Sequence, residues 1–167
     1  MIEYKKGNIL KEPVEALVNV VNCAGAAGTN TITQQFKNTF PKNYAAYVAA
    51  CKSRELQLGK MLVHKTDMPH NHKYIINFPT KRHWRGKGHM EDIDSGLNAL
   101  AETIQEYNIS SIAMPPLDSG PGCLSCRELR LRTEAVLSPL HSVRVVVVEP
   151  ETAHPGEHWH KPGIFLQ

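Results

Sequence analysis

Two periodicities alternate along this chain. Residues 2–6, IEYKK, alternate apolar and polar, which predicts a half-exposed strand, and the pattern stops at Gly7. Asn8-Ile9-Leu10 continues into Glu12-Pro13, a turn signal. Residues 16–21, ALVNVV, are nearly all apolar over the length of one strand, which predicts a strand covered on both faces. Residues 31–40 predict a helix. Residues 41–52 predict a second, with Pro41 near its first position and Tyr44, Tyr47, Val48 and Cys51 at helical spacing. Strands are expected at 59–65 and at 73–78, the latter closed by Pro79. The clearest helix is 90–107. Ile93, Leu97, Leu100 and Ile104 share one face, and Glu91 and Asp92 sit in the first turn, where the helix dipole favours acids. A short strand at 111–114 ends at Pro115-Pro116, a helix is expected over 124–137, and a last apolar strand over 143–148.

Strands come first, then strand and helix alternate. That order predicts an α/β fold, a mixed but mostly parallel sheet sandwiched between helices. In such sheets ligands bind at the carboxyl ends of the strands. Three loops then line one crevice: 22–30, the segment PTKRHWRGKG after YIINF, and 117–123. The first is the sharpest signal, because a strand that runs into a Gly/Ala-rich loop and then a helix is a setting for a phosphate or a ribose. Residues 1–150 read as one domain and 151–167 as an irregular tail rich in histidine and proline.

Composition narrows this picture only a little. The 167 residues suffice for a real core, and no apolar run approaches the roughly 18 residues of a membrane helix. The first residues lack the charged-then-apolar pattern of a signal peptide, so a cytoplasmic protein without membrane contact is expected. Net charge is +3 with nine histidines, a mild bias toward anionic partners. Lys81, Arg82, Arg85 and Lys87, with His83 and Trp84, concentrate that charge beside an indole, a composition suited to a phosphodiester with a base to stack on. The four cysteines read as thiols. Cys123-x-x-Cys126 lacks a second pair, and His154, His158 and His160 lie in the tail, so neither a metal nor a cofactor is expected.

The segments YKKGNIL, ALVNVVNCAG, FPKNYAAY, GKMLV, KYIINFPTKRHWRGKG, MEDIDSGL, SIAMPPL and VRVVVVEP together resemble a macrodomain. The likeness covers residues 1–150 and is strongest to the DNA ADP-ribosyl glycohydrolase antitoxins (the DarG-type branch), which are related to the terminal ADP-ribose glycohydrolases. NFPTKRHWRGK is specific to that branch. The resemblance implies a six-stranded sheet and binding of ADP-ribose in the crevice. It implies removal of ADP-ribose that a partner toxin attached to thymidine bases in single-stranded DNA. Asn8 and Ile9 would flank the adenine, and Asn22 would bind the distal ribose. Cys23, Gly25, Gly28, Thr29, Asn30 and Thr31 would wrap the ribose and diphosphate. Pro116, Leu117, Ser119, Gly120, Gly122 and Cys123 would cradle the diphosphate. Lys81 matches the catalytic lysine of the branch, and a cationic cluster is a fitting place for a base or nucleophile at a sugar C1. Arg82, Trp84 and Arg85 would hold the DNA strand.

The chain departs from the family at both ligand loops. Family members read NCVGxMGKGIALQF where this chain reads NCAGAAGTNTITQQF, so a Lys-Gly pair has become Thr29-Asn30. They read PPLGCGLGGLDW where it reads PPLDSGPGCLSC. Asp118 brings a carboxylate to a place suited to an anion, and two unit charges about 4 Å apart repel by roughly 4 kcal/mol at an effective dielectric of 20. Pro121 removes an N–H donor. Three functions are therefore expected in competition. One is the lysine-assisted hydrolase. Another is a crevice retuned to bind, cleave or transfer a different nucleoside or nucleotide, with Asp118 as a catalytic group. The third is a non-catalytic reader of ADP-ribose.

Overall fold

In the computed structural model, residues 2–27, 31–83, 88–117 and 126–151 are described. Six strands, β1 (Ile2–Lys6), β2 (Ala16–Asn22), β3 (Leu62–Lys65), β4 (Tyr74–Lys81), β5 (Ser111–Met114) and β6 (Arg144–Glu149), form one sheet in the order β1-β6-β5-β2-β4-β3. All neighbours run parallel except β3, which is antiparallel to β4. The expected mixed, mostly parallel sheet is therefore present. Its five parallel strands point their carboxyl ends to one edge.

Helices α1 (Thr31–Thr39) and α2 (Pro41–Lys52) cover one face, and α3 (Met90–Glu106) and α4 (Cys126–Leu137) the other. The α3 stripe behaves as its spacing predicts. Ile93, Leu97, Leu100 and Ile104 are buried against Val18, Ile76, Phe78 and Met114 of the sheet. Gly96, on the same helix, is required by a close approach. A methyl group there would lie 2.5 Å from the ring of Phe78, which is itself fully buried. Among the described residues no helix is long and apolar enough to cross a membrane.

Two strand bounds need correction, and the segment after β1 is a turn. Asn8 caps a 3-10 turn over Ile9–Lys11, its Oδ1 accepting from Leu10 N at 3.0 Å, and Ile9 turns into the core. β3 starts at Leu62 rather than residue 59, because Gly59 sits in a turn at φ +83°. β4 does not end before Pro79 but continues to Lys81. β3 pairs with β4 only as far as Asn77, so Pro79 lies where the strand has one neighbour and one open side. A missing amide hydrogen is tolerated at such a position.

A polar cluster interrupts the apolar face under α2. Asn19 of β2 and Asn77 of β4 are register partners, and Asn43 of α2 lies over them. Asn19 and Asn43 both donate to Asn77 Oδ1 at 3.2 Å, and Asn77 donates to Asn43 Oδ1 at 2.8 Å and to the Leu62 carbonyl at 3.1 Å. Asn77 is completely buried and connects the other two.

Two stability changes test this packing. Helix propensity alone favours alanine over glycine by about 1 kcal/mol, but forcing a methyl into a filled core costs about 1–3 kcal/mol. Gly96→Ala is therefore expected to lower stability in a denaturant titration, and adding Phe78→Leu to recover part of the loss. A stabilised Gly96→Ala chain would contradict the close contact. Asn77→Leu removes the shared partner of two buried amides and is expected to cost roughly 2–6 kcal/mol, at about 1–3 kcal/mol for each amide left unpaired. An unchanged unfolding midpoint would show that the cluster contributes nothing.

Candidate functional site

The site is built where β2 and β4 end. Their pairing is regular from Ala16↔Tyr74 to Val21↔Pro79, and then the register shifts, so that Asn22 is matched to Lys81 rather than to Thr80. The extra residue in β4 is a β-bulge, a device that re-aims side chains at a strand end. Thr80 and Lys81 are both buried and continue the buried run that begins at Ile75, as expected of a strand covered on both faces. Cys23 N donates to the Lys81 carbonyl at 3.0 Å and ties the two strand ends together. Lys81 is 8% exposed, so it is no surface lysine.

The loop after β2 folds around Asn22. Its Nδ2 donates to the Ala26 carbonyl at 2.9 Å, and its Oδ1 accepts from Ala24 N at 2.8 Å. Tyr47 of α2 is buried beneath it. The Tyr47 hydroxyl donates to the Asn22 carbonyl at 2.7 Å and lies 3.0 Å from Asn22 Oδ1. Gly25, at φ +81°, passes over α2, where a side chain would press on Cys51 Cβ at 3.4 Å. The Asn22 side chain thus shapes the loop that follows it.

The groups nearest this loop are held neutral. Burial is the main cause that raises the Cys23 thiol above its ordinary range, with Cys51 and Asp92 adding and Arg82 opposing. Burial likewise raises Cys51, against hydrogen bonds from Tyr47 and Gly25. It also raises the Tyr47 phenol, with Cys51 adding to the effect. None of the three is an activated nucleophile, and Tyr47 acts as a hydrogen-bond donor.

Beside Lys81 and Asn22 a cavity opens between the sheet and helices α1 and α2. Asn19, Val20, Val21, Asn22, Thr80 and Lys81 line it from the sheet, and Asn43, Tyr44 and Tyr47 from α2. Thr33 and Lys37 of α1 and Ala26 and Ala27 of the loop complete it. The Lys37 ammonium lies over the Tyr44 ring, 4.8 Å from its centre.

The other residues expected at the site fall in several places. Asn8 and Ile9 follow β1, and the Ile9 side chain is in the core, 2% exposed. Pro116 and Leu117 follow β5, with Leu117 also packed inward. Thr31 begins α1, and Arg82 is exposed just past Lys81. Gly28, Thr29, Asn30, Trp84, Arg85, Asp118, Ser119, Gly120, Gly122 and Cys123 lie outside the described residues. Among the described residues no cluster of histidine, cysteine and acidic side chains has the makings of a metal site. Sequence reading missed Lys37, Asn19, Asn43 and Asn77 as neighbours of the site, and took Tyr44 and Tyr47 for packing residues. The signal was available in part, since an asparagine inside LVNVV and another inside YIINF each break an apolar strand.

The Macro domain family model matches residues 18–130. A Thermus aquaticus protein named DNA ADP-ribosyl glycohydrolase is 44% identical over 150 residues, 90% of this chain and 41% of that protein. The solved macrodomain of Thermus aquaticus DarG superposes with a TM-score of 0.84 over 90% of this chain and 99% of its own. A Thermosipho africanus protein named as a fusion of DNA ADP-ribosyl transferase and DNA ADP-ribosyl glycohydrolase is 30% identical over 71% of this chain and 34% of its own. The solved Thermosipho africanus DarTG in complex with ADP-ribose gives a TM-score of 0.79 at 27% identity, over 96% of this chain and 44% of that one. The chain spans about two fifths of the length of the Thermus relative. With the family model matched over residues 18–130 and the solved macrodomain superposing over 90% of the chain, the chain belongs to the macrodomain family.

Proposed function

We propose that this protein is an ADP-ribosyl glycohydrolase that removes ADP-ribose from thymidine bases of single-stranded DNA, with Lys81 assisting attack at the ribose C1. The observation that carries this reading is the bulge, which sets a buried lysine directly beside the ribose-loop residue Asn22. The likeness to relatives named for this activity supports it.

ADP-ribose would lie across the carboxyl ends of the strands. Adenine would sit by Asn8 after β1, the diphosphate by the segment after β5, and the distal ribose over the loop 22–27. The C1 of that ribose then faces the end of β4. In net terms one water is consumed. Its oxygen bonds to C1, and the C1–N bond breaks with its electron pair on the base nitrogen. The proton taken by the Lys81 amine passes to that nitrogen. A positioned acid–base group contributes typically about 10²–10⁴-fold. Arg82, Trp84 and Arg85 would hold the flanking strand through phosphate contact and stacking. The toxin that attaches the group would be the natural partner, as the fused transferase in the Thermosipho relative suggests.

Wild type is expected to release ADP-ribose from an ADP-ribosylated single-stranded oligonucleotide. Lys81→Ala is expected to lose at least about 100-fold in that rate while binding ADP-ribose in a calorimetric titration as tightly as wild type. Equal turnover by Lys81→Ala would remove the lysine from the mechanism. Binding without any release by wild type would make the protein a reader.

A further inference from the structure

The sheet divides the charge of this chain. Residues 31–60, which hold α1, α2 and the turns after them, carry five Lys and Arg against one acid, Glu55. Residues 88–117, which hold α3 on the other face, carry five acids and no Lys or Arg. α4 adds three arginines to that second face, but Arg130 is paired to Glu134, and Arg132 to Asp94 and Glu128. The cations of residues 31–60 are Lys37, Lys42, Lys52, Arg54 and Lys60, and all five are exposed. Of these five, only Lys42 makes an ion pair among the described residues, with Asp67 at 3.4 Å, the two side chains 81% and 93% exposed. Water screens a pair so exposed.

These cations are continuous with the site. Lys37 lines the cavity beside Asn22 and Lys81, and its ammonium lies over the ring of Tyr44 on α2. Lys42 and Lys52 stand at the two ends of α2. With Ala45 and Ala49 between them they form an exposed row at helical spacing, and no acid interrupts it. The row is about 15 Å long at 1.5 Å per residue, the reach of a few nucleotides. At the Lys52 end, Cys51 Sγ lies 3.9 Å from the Asn22 carbonyl, so the row finishes beside the loop after β2. Like charges left unopposed on one face repel each other, and a polyanion laid along them relieves that cost.

We infer that the outer face of α1 and α2 is a track for the DNA strand leading away from the modified nucleotide, with Lys37, Lys42 and Lys52 on its phosphates. The inference rests on the hydrolase reading for the identity of the polyanion. A single strand presents one phosphate charge per nucleotide, which matches a row of ammonium groups with no acid between them. Arg82, Trp84 and Arg85 would hold the strand on one side of the modified base, and this face holds it on the other. Contacts to phosphate position a strand without reading its sequence, so the track is indifferent to the flanking bases. The acid-rich α3 face repels the same strand and leaves it one route across the molecule.

The test titrates the full chain with an unmodified oligothymidine, by fluorescence anisotropy, over a range of salt concentrations. Each phosphate contact to a single strand contributes about 0.7 to the slope of log K against log salt. Lys42→Gln/Lys52→Gln is therefore expected to flatten the slope by about 1.4 and to weaken binding about tenfold or more at roughly 0.1 M salt. Lys11→Gln/Lys73→Gln removes the same charge outside this face and is expected to change the slope by less than about 0.5. The Kd for ADP-ribose should stay within about twofold of wild type in both variants. Equal flattening by the two variants would reduce the effect to net charge and overturn the inference. So would an unchanged slope in Lys42→Gln/Lys52→Gln, or no binding of the oligothymidine by wild type. In turnover of an ADP-ribosylated oligothymidine, Lys42→Gln/Lys52→Gln is expected to raise KM about tenfold at unchanged kcat, and to leave KM for ADP-ribosylated thymidine monophosphate as it is. An equal rise for both substrates would place the lysines at the modified nucleotide itself and overturn the track. If wild type releases no ADP-ribose from DNA, the hydrolase reading fails by itself, and the salt titration still decides the face.

Discussion

Everything at this site depends on how β2 and β4 finish together. Six residues of each strand run in strict register, and then β4 takes one residue more. The shift matches Asn22 to Lys81, and the Cys23 amide closes on the Lys81 carbonyl. A strand pair without the bulge would set Thr80 opposite Asn22 and carry the lysine one step beyond the end of β2. A lysine set down at a strand end inside a parallel sheet is held by backbone pairing on a rigid element, which is what placing a reacting group at one sugar carbon requires.

The loop beside it is held from below. Macrodomain ligand loops must be irregular to wrap a sugar, and irregular backbone needs its polar groups answered somewhere. Here α2 answers them. Tyr47 donates to the Asn22 carbonyl, and Asn22 itself bridges Ala24 and Ala26. Neighbouring Asn43 ties the same helix to Asn77 in the sheet. One helix thus carries both the support of the loop after β2 and a wall of the cavity. A polar network of this kind specifies one arrangement only when its members are satisfied, and among the described residues Asn19 Oδ1 is the one side-chain atom of the three asparagines without a partner.

Much of the fold was legible in the sequence because its signals were local. The period of α3, the proline opening α2 and the apolar runs of β2 and β6 each declared an element within a residue or two of its observed bounds. The failures have physical causes too. Pro79 reads as a strand end, yet β3 begins only at Leu62, opposite Asn77, and leaves that side of β4 open beyond it. The bulge is invisible in sequence, since it is a property of two strands and not of one. Lys81 and Asn22 were identified through family resemblance, whereas Asn19, Asn77 and Lys37 carry no motif and meet only when the sheet and helices are assembled. The altered loops with Thr29, Asn30 and Asp118 lie outside the described residues, so the reading rests on the β2 and β4 ends.

The most direct test is a crystal structure of the Lys81→Ala chain with an uncleaved ADP-ribosylated thymidine oligonucleotide. The account predicts the linked ribose C1 beside the end of β4, next to Asn22, with the diphosphate running toward the segment after β5. A ribose bound away from the β2 and β4 ends, or an ADP-ribose running in the reverse direction, would contradict it.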